Sequence, residues 1–354
     1  MKPRQLFLAV AAALLTLTSV ACKMRAGAPD VYVLGAKGTG GERDEGEVAK
    51  PALWKNGVEV PLGMDIDAYA HSAFASGKDV YIVGFVCLPS ENDDGGVFQP
   101  TVWKNGVAMS LGGAGNAESI FVSGGDVYVA GTENDRKGTR LLTLWKNGAA
   151  QRLGGRGDAG SVFVSGDDVY VAGCQYGKSE RDPFVATVWV NGEARRLGDG
   201  KNNSGASSVF VAGSDVYVAG YEAVKVGAEN GLAATLWVNG VAQRLGDGKG
   251  ASEAHYVSVS GKDVYVAGYE DNGQGAAVAT LWKNGVARHY DGVPVPRSQC
   301  AVSVYGGDSY WAGTTEDEHG NSMATMWKNG AARPLGDGKA NTWANSVFVV
   351  GAGK

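Results

Sequence analysis

The chain has 354 residues and a formal net charge of −5, with no cluster of Lys and Arg interleaved with aromatics, so a polyanion such as nucleic acid is not the expected partner. Glycine accounts for 55 residues against only 10 prolines, without a Gly-X-Y run, which excludes a collagen-like chain and assigns the glycine excess to turns. Hydrophobic residues at 44% suffice for a packed core.

The first residues carry Lys2 and Arg4, an apolar stretch from Leu6 to Leu17, and then Ser19-Val20-Ala21-Cys22. The stretch is too short to remain as a spanning helix. It resembles a bacterial lipoprotein signal peptide, 1–21, which implies a cut after Ala21 and lipidation of Cys22, with 22–29 as a lipidated linker. Ser19 stands where that family more often has Leu, and an ordinary secretory peptide cut at the same place is the alternative. Both readings export the protein. The lipoprotein reading anchors it in the cell envelope through a membrane lipid anchor, and Lys23 in place of Asp points, by the family's rule, to the outer membrane. The remaining cysteines, Cys87, Cys174 and Cys300, are odd in number and fit no disulfide framework or metal knuckle.

From residue 30 onward one unit of about 46 residues recurs. Its clearest phrase, Asp-Val-Tyr-Val-Ala-Gly with small changes, begins at Asp30, Asp79, Asp126, Asp168, Asp215, Asp263 and Asp308. A second phrase, Leu-Trp-Lys-Asn-Gly or a close variant, places tryptophan at 54, 103, 145, 189, 237, 282 and 327. Alternating segments such as Ser-Val-Phe-Val-Ser-Gly precede the Asp, and short ones such as Ala-Gln-Arg-Leu-Gly follow the Trp turn. Each unit therefore reads as four short strands, a to d, separated by turns. Asn-Gly predicts a tight hairpin from c to d, the Trp is expected to fill space between neighbouring units, and the Asp is expected to accept hydrogen bonds from turn amides.

The expected fold is all-β: a seven-bladed β-propeller of four-stranded antiparallel blades over 30–354. The first unit lacks a strand a, and the chain ends with one, Asn-Ser-Val-Phe-Val-Val, that has no strand b after it. Pairing 346–350 with 30–35 completes the circle and leaves no sheet edge open. These phrases resemble those of bacterial seven-bladed β-propeller repeat lipoproteins over residues 30–351, a likeness that implies architecture and no chemistry.

The a-to-b and c-to-d turns are short and nearly invariant, whereas the b-to-c and d-to-a connections vary, so the latter face is the expected binding face. Its b-to-c loops are rich in carboxylates, among them Glu133, Asp135, Glu222, Glu270, Asp271, Glu316, Asp317 and Glu318, with further acids in 42–47, 91–94, 180–182 and 229. Such a field suits a cationic group or a hard metal such as calcium, although no loop spells the calcium ligand pattern. Eight residues before six of the Asp residues stand His71, Glu118, Gly160, Ser207, His255 and Cys300, and Asn345 holds the equivalent place in the last strand a; these seven are expected to ring the mouth of the central channel. His255, Cys300, Asn345, His71 and Glu118 come from five consecutive units and could supply soft and imidazole metal ligands, or a thiol with a nearby base, but the expected reading is a polar collar whose side chains neighbouring inner strands hold apart. His289 and His319 read as single surface residues.

No nucleophile, zinc or phosphate motif is present, so the expected role is that of a monomeric, non-enzymatic recognition or scaffold protein, without cofactor, that meets a protein, glycan or cation on its loop face. A carbohydrate-active enzyme, glycoside hydrolase or lyase, with carboxylates at the channel mouth is the alternative, and an outer-membrane assembly scaffold a third.

Overall fold

The computed structural model describes residues 28–38, 49–62, 68–89, 96–179, 181–226, 229–246, 250–274, 276–295, 301–336 and 338–351. The signal segment, Cys22, Cys300 and the acids at 42–47, 91–94 and 180 lie outside the described residues. Among the described residues every regular element is a β-strand, and every strand pairing is antiparallel. No helix there is long and apolar enough to cross a membrane.

Five sheets have four strands each, ordered a, b, c, d, and one has seven; four of the five follow chain order, and the fifth takes its strand a from Thr342–Val350. The seven-stranded sheet arises because Ala149–Ser165 runs without a break from strand d of one unit into strand a of the next. The expected loop between those units is therefore absent, while Arg152 pairs with Thr143 at one end of the strand and Phe163 with Tyr170 at the other. The chain ends meet as expected from the sequence: Asp30–Gly38 pairs with Thr342–Val350, with Val31 opposite Val349, Val33 opposite Val347 and Leu34 opposite Ser346.

Inner strands touch one another in succession. Ala68–Ser76 contacts Gly115–Ser123, which contacts Ala149–Ser165, and the series continues through Ser204–Ala212, Ser252–Ser260 and Ala301–Tyr305 to Thr342–Val350. Thr342–Val350 in turn contacts Ala68–Ser76. Serine side chains stitch this inner wall across units. Ser119 Oγ accepts from Val162 N–H at 3.1 Å, Ser161 Oγ from Val209 N–H at 3.4 Å and Ser208 Oγ from Val257 N–H at 3.2 Å. Phe74, Phe121, Phe163 and Phe210 continue the same wall, with successive ring centroids 4.8–5.0 Å apart.

Hydrophobic clusters join successive units, because the repeated Trp of one unit packs against its predecessor. Trp145 lies among Tyr81, Val83 and Val102 of the preceding unit and Ile120 and Val122 of its own. Trp54 of the first unit shares a cluster with Tyr310, Ala312 and Met326 of the last. All seven repeated tryptophans are at most 2% exposed, which fits the expected filling role. Losing one such indole costs on the order of 3–5 kcal/mol.

On the short-turn side each repeated Asp forms a clip. The turn Asn has φ between +50° and +52° in all seven units, the left-handed conformation an Asn-Gly hairpin requires. Its side chain then bridges two strands: Asn147 Nδ2 donates to Asp126 Oδ1 at 2.8 Å, and Asn147 Oδ1 accepts from Val127 N–H at 2.9 Å. The same pair of bonds recurs from Asp30 and Asn56 to Asp308 and Asn329. The Asp thus accepts from a side-chain amide, and the main-chain amide expected as its donor goes to the Asn instead. In five units a Lys adds an ion pair at 2.7–2.8 Å, as Lys104 does with Asp79, and these lysines sit 5.2–5.4 Å from the centre of the strand-b Tyr ring. The other two units have Val190 and Val238 at that position.

Candidate functional site

The candidate site follows from one irregularity repeated in every unit whose strand a is described at that point. The pairing of strands a and b shifts register between Ala70 and Ser72, Ala117 and Ser119, Ala159 and Ser161, Ala206 and Ser208, and Ala254 and Tyr256. The closing pair shifts in the same way, opposite Leu34 and Gly35. The extra residues are His71, Glu118, Gly160, Ser207, His255 and Asn345. A β-bulge of this kind leaves one residue without a ladder partner and re-aims its side chain. Six of the seven positions picked out by spacing in the sequence are therefore bulge residues, and the seventh, Cys300, lies outside the described residues.

The glycine that closes the Asp-Val-Tyr-Val-Ala-Gly phrase explains how the bulge is tolerated. A Cβ on Gly84 would overlap the carbonyl oxygen of Tyr69, and one on Gly131, Gly173, Gly220 or Gly268 would overlap the corresponding carbonyl of Asn116, Asp158, Gly205 or Glu253. Strand b must lack a side chain where the bulged strand a bends toward it.

The bulge residues are not all held apart. His71 Nδ1 lies 3.1 Å from Glu118 Oε2 and 3.2 Å from the carbonyl oxygen of Ala117, so two consecutive units are joined at the mouth. Burial opposes protonation of His71, but the Glu118 carboxylate outweighs it and holds the imidazole pKa above its ordinary value. Asn116 Nδ2 donates to the other Glu118 oxygen, Oε1, at 2.6 Å. His255 is the opposite case. Its side chain is only 8% exposed, its Nε2 has no hydrogen-bond partner, and burial alone pushes its pKa down to about 4. The Glu253 carboxylate stands 3.7 Å away and is taken by the hydroxyl of Tyr269 at 2.6 Å. His255 is thus a neutral imidazole at ordinary pH.

Glu118, Gly160, Ser207 and His255 line one open cavity of about 440 Å³. Sequence spacing missed its remaining polar lining: Arg140, Asp158, Cys174 and Tyr221. Cys174 and Tyr221 directly follow the repeated glycine, at the point where a constant residue gives way to ones that vary from unit to unit, and that step is the signal that could have found them. Arg140 Nη2 is 2.9 Å from Asp158 Oδ1, off the line a hydrogen bond needs, so that contact is ionic; the Tyr176 hydroxyl donates to Asp158 Oδ2. Burial raises the Cys174 thiol to about 11 and the Tyr221 phenol to about 12, with nearby carboxylates adding to both. Both groups stay protonated, so Cys174 is a poor nucleophile there.

The loop acids divide by role. Asp135 Oδ1 accepts from the N–H groups of Lys137 and Thr139, and Asp317 Oδ1 from those of His319 and Asn321, at 2.8–2.9 Å, which pulls both carboxyl pKa values below their ordinary range. These two close their own loops. Asp271 does the same for Gly273 at 3.0 Å. Glu270 pairs with His289 at 2.7 Å, so that histidine is not a lone surface residue, and His319 lies 3.6 Å from Glu318. Burial raises the pKa of Glu222, which lies opposite Ser204. Glu133 lies opposite Gly115, and Glu316 opposite Ser322. Among the described residues no group of three or more His, Cys, Asp or Glu is arranged to hold a metal ion.

No family model matches the sequence, and no curated protein does. Solved structures do. A puromycin-hydrolysing peptidase from Mycobacterium tuberculosis aligns with a TM-score of 0.52 at 11% identity, over 88% of this chain and 53% of the other. An acylaminoacyl peptidase from Pyrococcus horikoshii aligns with a TM-score of 0.51 at 13% identity, over 86% and 51%. The fold is a β-propeller. TolB from Acinetobacter baumannii also matches, at 10% identity over 90% of this chain and 82% of that one, with a TM-score of 0.46. The chain spans about half the length of the two peptidases. At these identities the likeness to other propellers concerns fold alone.

Proposed function

We propose that the chain is an exported recognition propeller of seven blades, closed by the pairing of Thr342–Val350 with Asp30–Gly38, that takes its ligand at the channel mouth on the long-loop face. Lipidation of Cys22 would hold it in the envelope, most naturally at the outer membrane. The observation that carries this reading is the repeated bulge: a frame kept by glycine, serine and tryptophan varies the bulge residue through His71, Glu118, Gly160, Ser207, His255 and Asn345, and four of these, Glu118, Gly160, Ser207 and His255, line one opening. Constancy serves packing, whereas variety at re-aimed positions suits recognition.

A binding role fits the chemistry better than the carbohydrate-active enzyme. Glu118 is engaged by His71 and Asn116, Asp158 by Arg140 and Tyr176, and the Cys174 thiol is kept protonated. The test is capture of envelope proteins and glycans by the purified protein and by Ser207→Arg and Glu118→Gln, whose melting temperatures should stay near that of the parent. Loss of capture in both variants is expected, and unchanged capture in both would reject the mouth as the site. Replacing Cys22 by Ser should move the protein from the membrane fraction to the soluble one.

A further inference from the structure

Four cavities on the long-loop side share walls and so form one groove. The mouth cavity of about 440 Å³ shares Asp158, Cys174 and Tyr221 with a neighbour of about 330 Å³. That neighbour shares Phe184 and Tyr221 with an outer cavity of about 630 Å³, and Arg156 and Tyr176 with one of about 320 Å³. Tyr221 is common to three of them. Its ring can lie there because residue 205 is glycine: a Cβ at Gly205 would come within 2.8–2.9 Å of two ring carbons and 3.0 Å of the hydroxyl.

The charge of this groove opposes that of the whole chain. Lys137, Arg140, Arg156, Arg181, Lys201 and Lys225 line it, against Glu118, Asp158 and Asp182. Arg140 is committed to Asp158, and Arg156 lies 5.8 Å from the centre of the Tyr176 ring. Arg156, Arg181 and Lys201 are all exposed. In a chain of net charge −5 this is a local positive field beside aromatic faces, closed at its inner end by the unpartnered Nε2 of His255. Cations attract an anion, aromatic rings suit the apolar face of a sugar ring, and carboxylates, imidazole and hydroxyl suit sugar hydroxyls.

We propose that this groove binds an acidic oligosaccharide whose rings carry carboxylates, a uronate chain of several units laid from the rim toward the mouth. The proposal rests on the recognition reading above and names the ligand class for it. The three acids interspersed among the bases favour a glycan, with spaced charges and many hydroxyls, over a single-stranded nucleic acid with a phosphate at every unit.

Calorimetric titration of the full chain with tetragalacturonate, an uncharged glucan tetramer and an oligothymidylate tests it. Tetragalacturonate should bind most tightly, and its affinity should fall as salt is added. Arg156→Ala with Arg181→Ala should weaken it by roughly tenfold or more, and Tyr221→Ala by a similar factor, each being on the scale of one charge-assisted contact or one stacking contact. Equal binding of the uncharged tetramer, tighter binding of the oligothymidylate, or no binding of tetragalacturonate would overturn the proposal. Ser207→Arg separates the two readings. If it abolishes capture of an envelope ligand that the groove variants still capture, recognition at the mouth stands and the uronate groove falls.

Discussion

At the scale of single residues, the glycine after Val-Leu, Ile-Val or Val-Ala in strand b is decided by its partner strand and not by a turn. Gly220 faces the bulge at Ser207, so Gly220→Ala should cost about 3 kcal/mol through backbone displacement, measured by urea unfolding. Gly113 has open space around its Cβ direction, and Gly113→Ala should change stability by less than about 0.5 kcal/mol. A large effect at Gly113 or none at Gly220 would contradict the bulge account. The two mouth histidines make opposite demands on pH. His255 titrates at about 4 when folded and near 6.5 when unfolded, so the unfolded chain binds its proton first. Its contribution is full above about 6.5 and declines as pH falls toward 4, by up to about 3 kcal/mol. His71, whose folded pKa is raised, contributes below its unfolded pKa and loses that contribution as pH rises through the folded value. His255→Gln should therefore flatten the fall in melting temperature between pH 6.5 and 4, and an unchanged fall would place the acid sensitivity elsewhere.

At the scale of elements, strand b and the c-to-d hairpin are held by the Asp clip, which five units reinforce with Lys. The Lys ammonium and the turn Asn hold the Asp79 carboxyl below its ordinary pKa, as they do at Asp30, Asp126, Asp263 and Asp308. Such a group stabilises the fold above its unfolded pKa and ceases to do so as pH falls through the folded one. Lys104→Met should raise the Asp79 pKa in a carboxyl NMR titration and leave Asp263 unchanged, because each clip lies in its own unit. The strands, the tight turns and the buried tryptophans were legible because each depends on residues a few positions apart, repeated seven times, and the end pairing because the repeat starts without a strand a and finishes on one. The bulge was legible only as a column of variable residues. That it is a bulge, and that glycine answers it from strand b, needs the register across two strands, which no single period contains. The cavity residues Arg140, Asp158 and Tyr221 come from different units and different strands, so no spacing along the chain brings them together.

At the scale of the molecule, the first and last units share both a sheet and a core, since Val33 and Val347 lie with Trp54, Tyr310 and Met326. If the ring is closed as proposed, the place where the chain is interrupted is arbitrary as long as that joint is kept. Removing the segment from Thr342 onward would leave one edge of Asp30–Gly38 unpaired and strip Val347 from the cluster, so this truncation should aggregate or lose cooperative unfolding. A circular permutant that joins the natural ends by a short flexible linker and opens the chain beside Gly200, in a loop with φ of +74°, keeps every sheet intact. It should show the parent's circular dichroism and a single unfolding transition. An open arc would answer differently: the linker would tether two elements with no need to meet, and truncation at Thr342 would cost no more than the loss of one edge strand. Failure of the permutant to fold, together with a well-folded truncation, would therefore reject closure, and with it the common mouth toward which the bulge residues point.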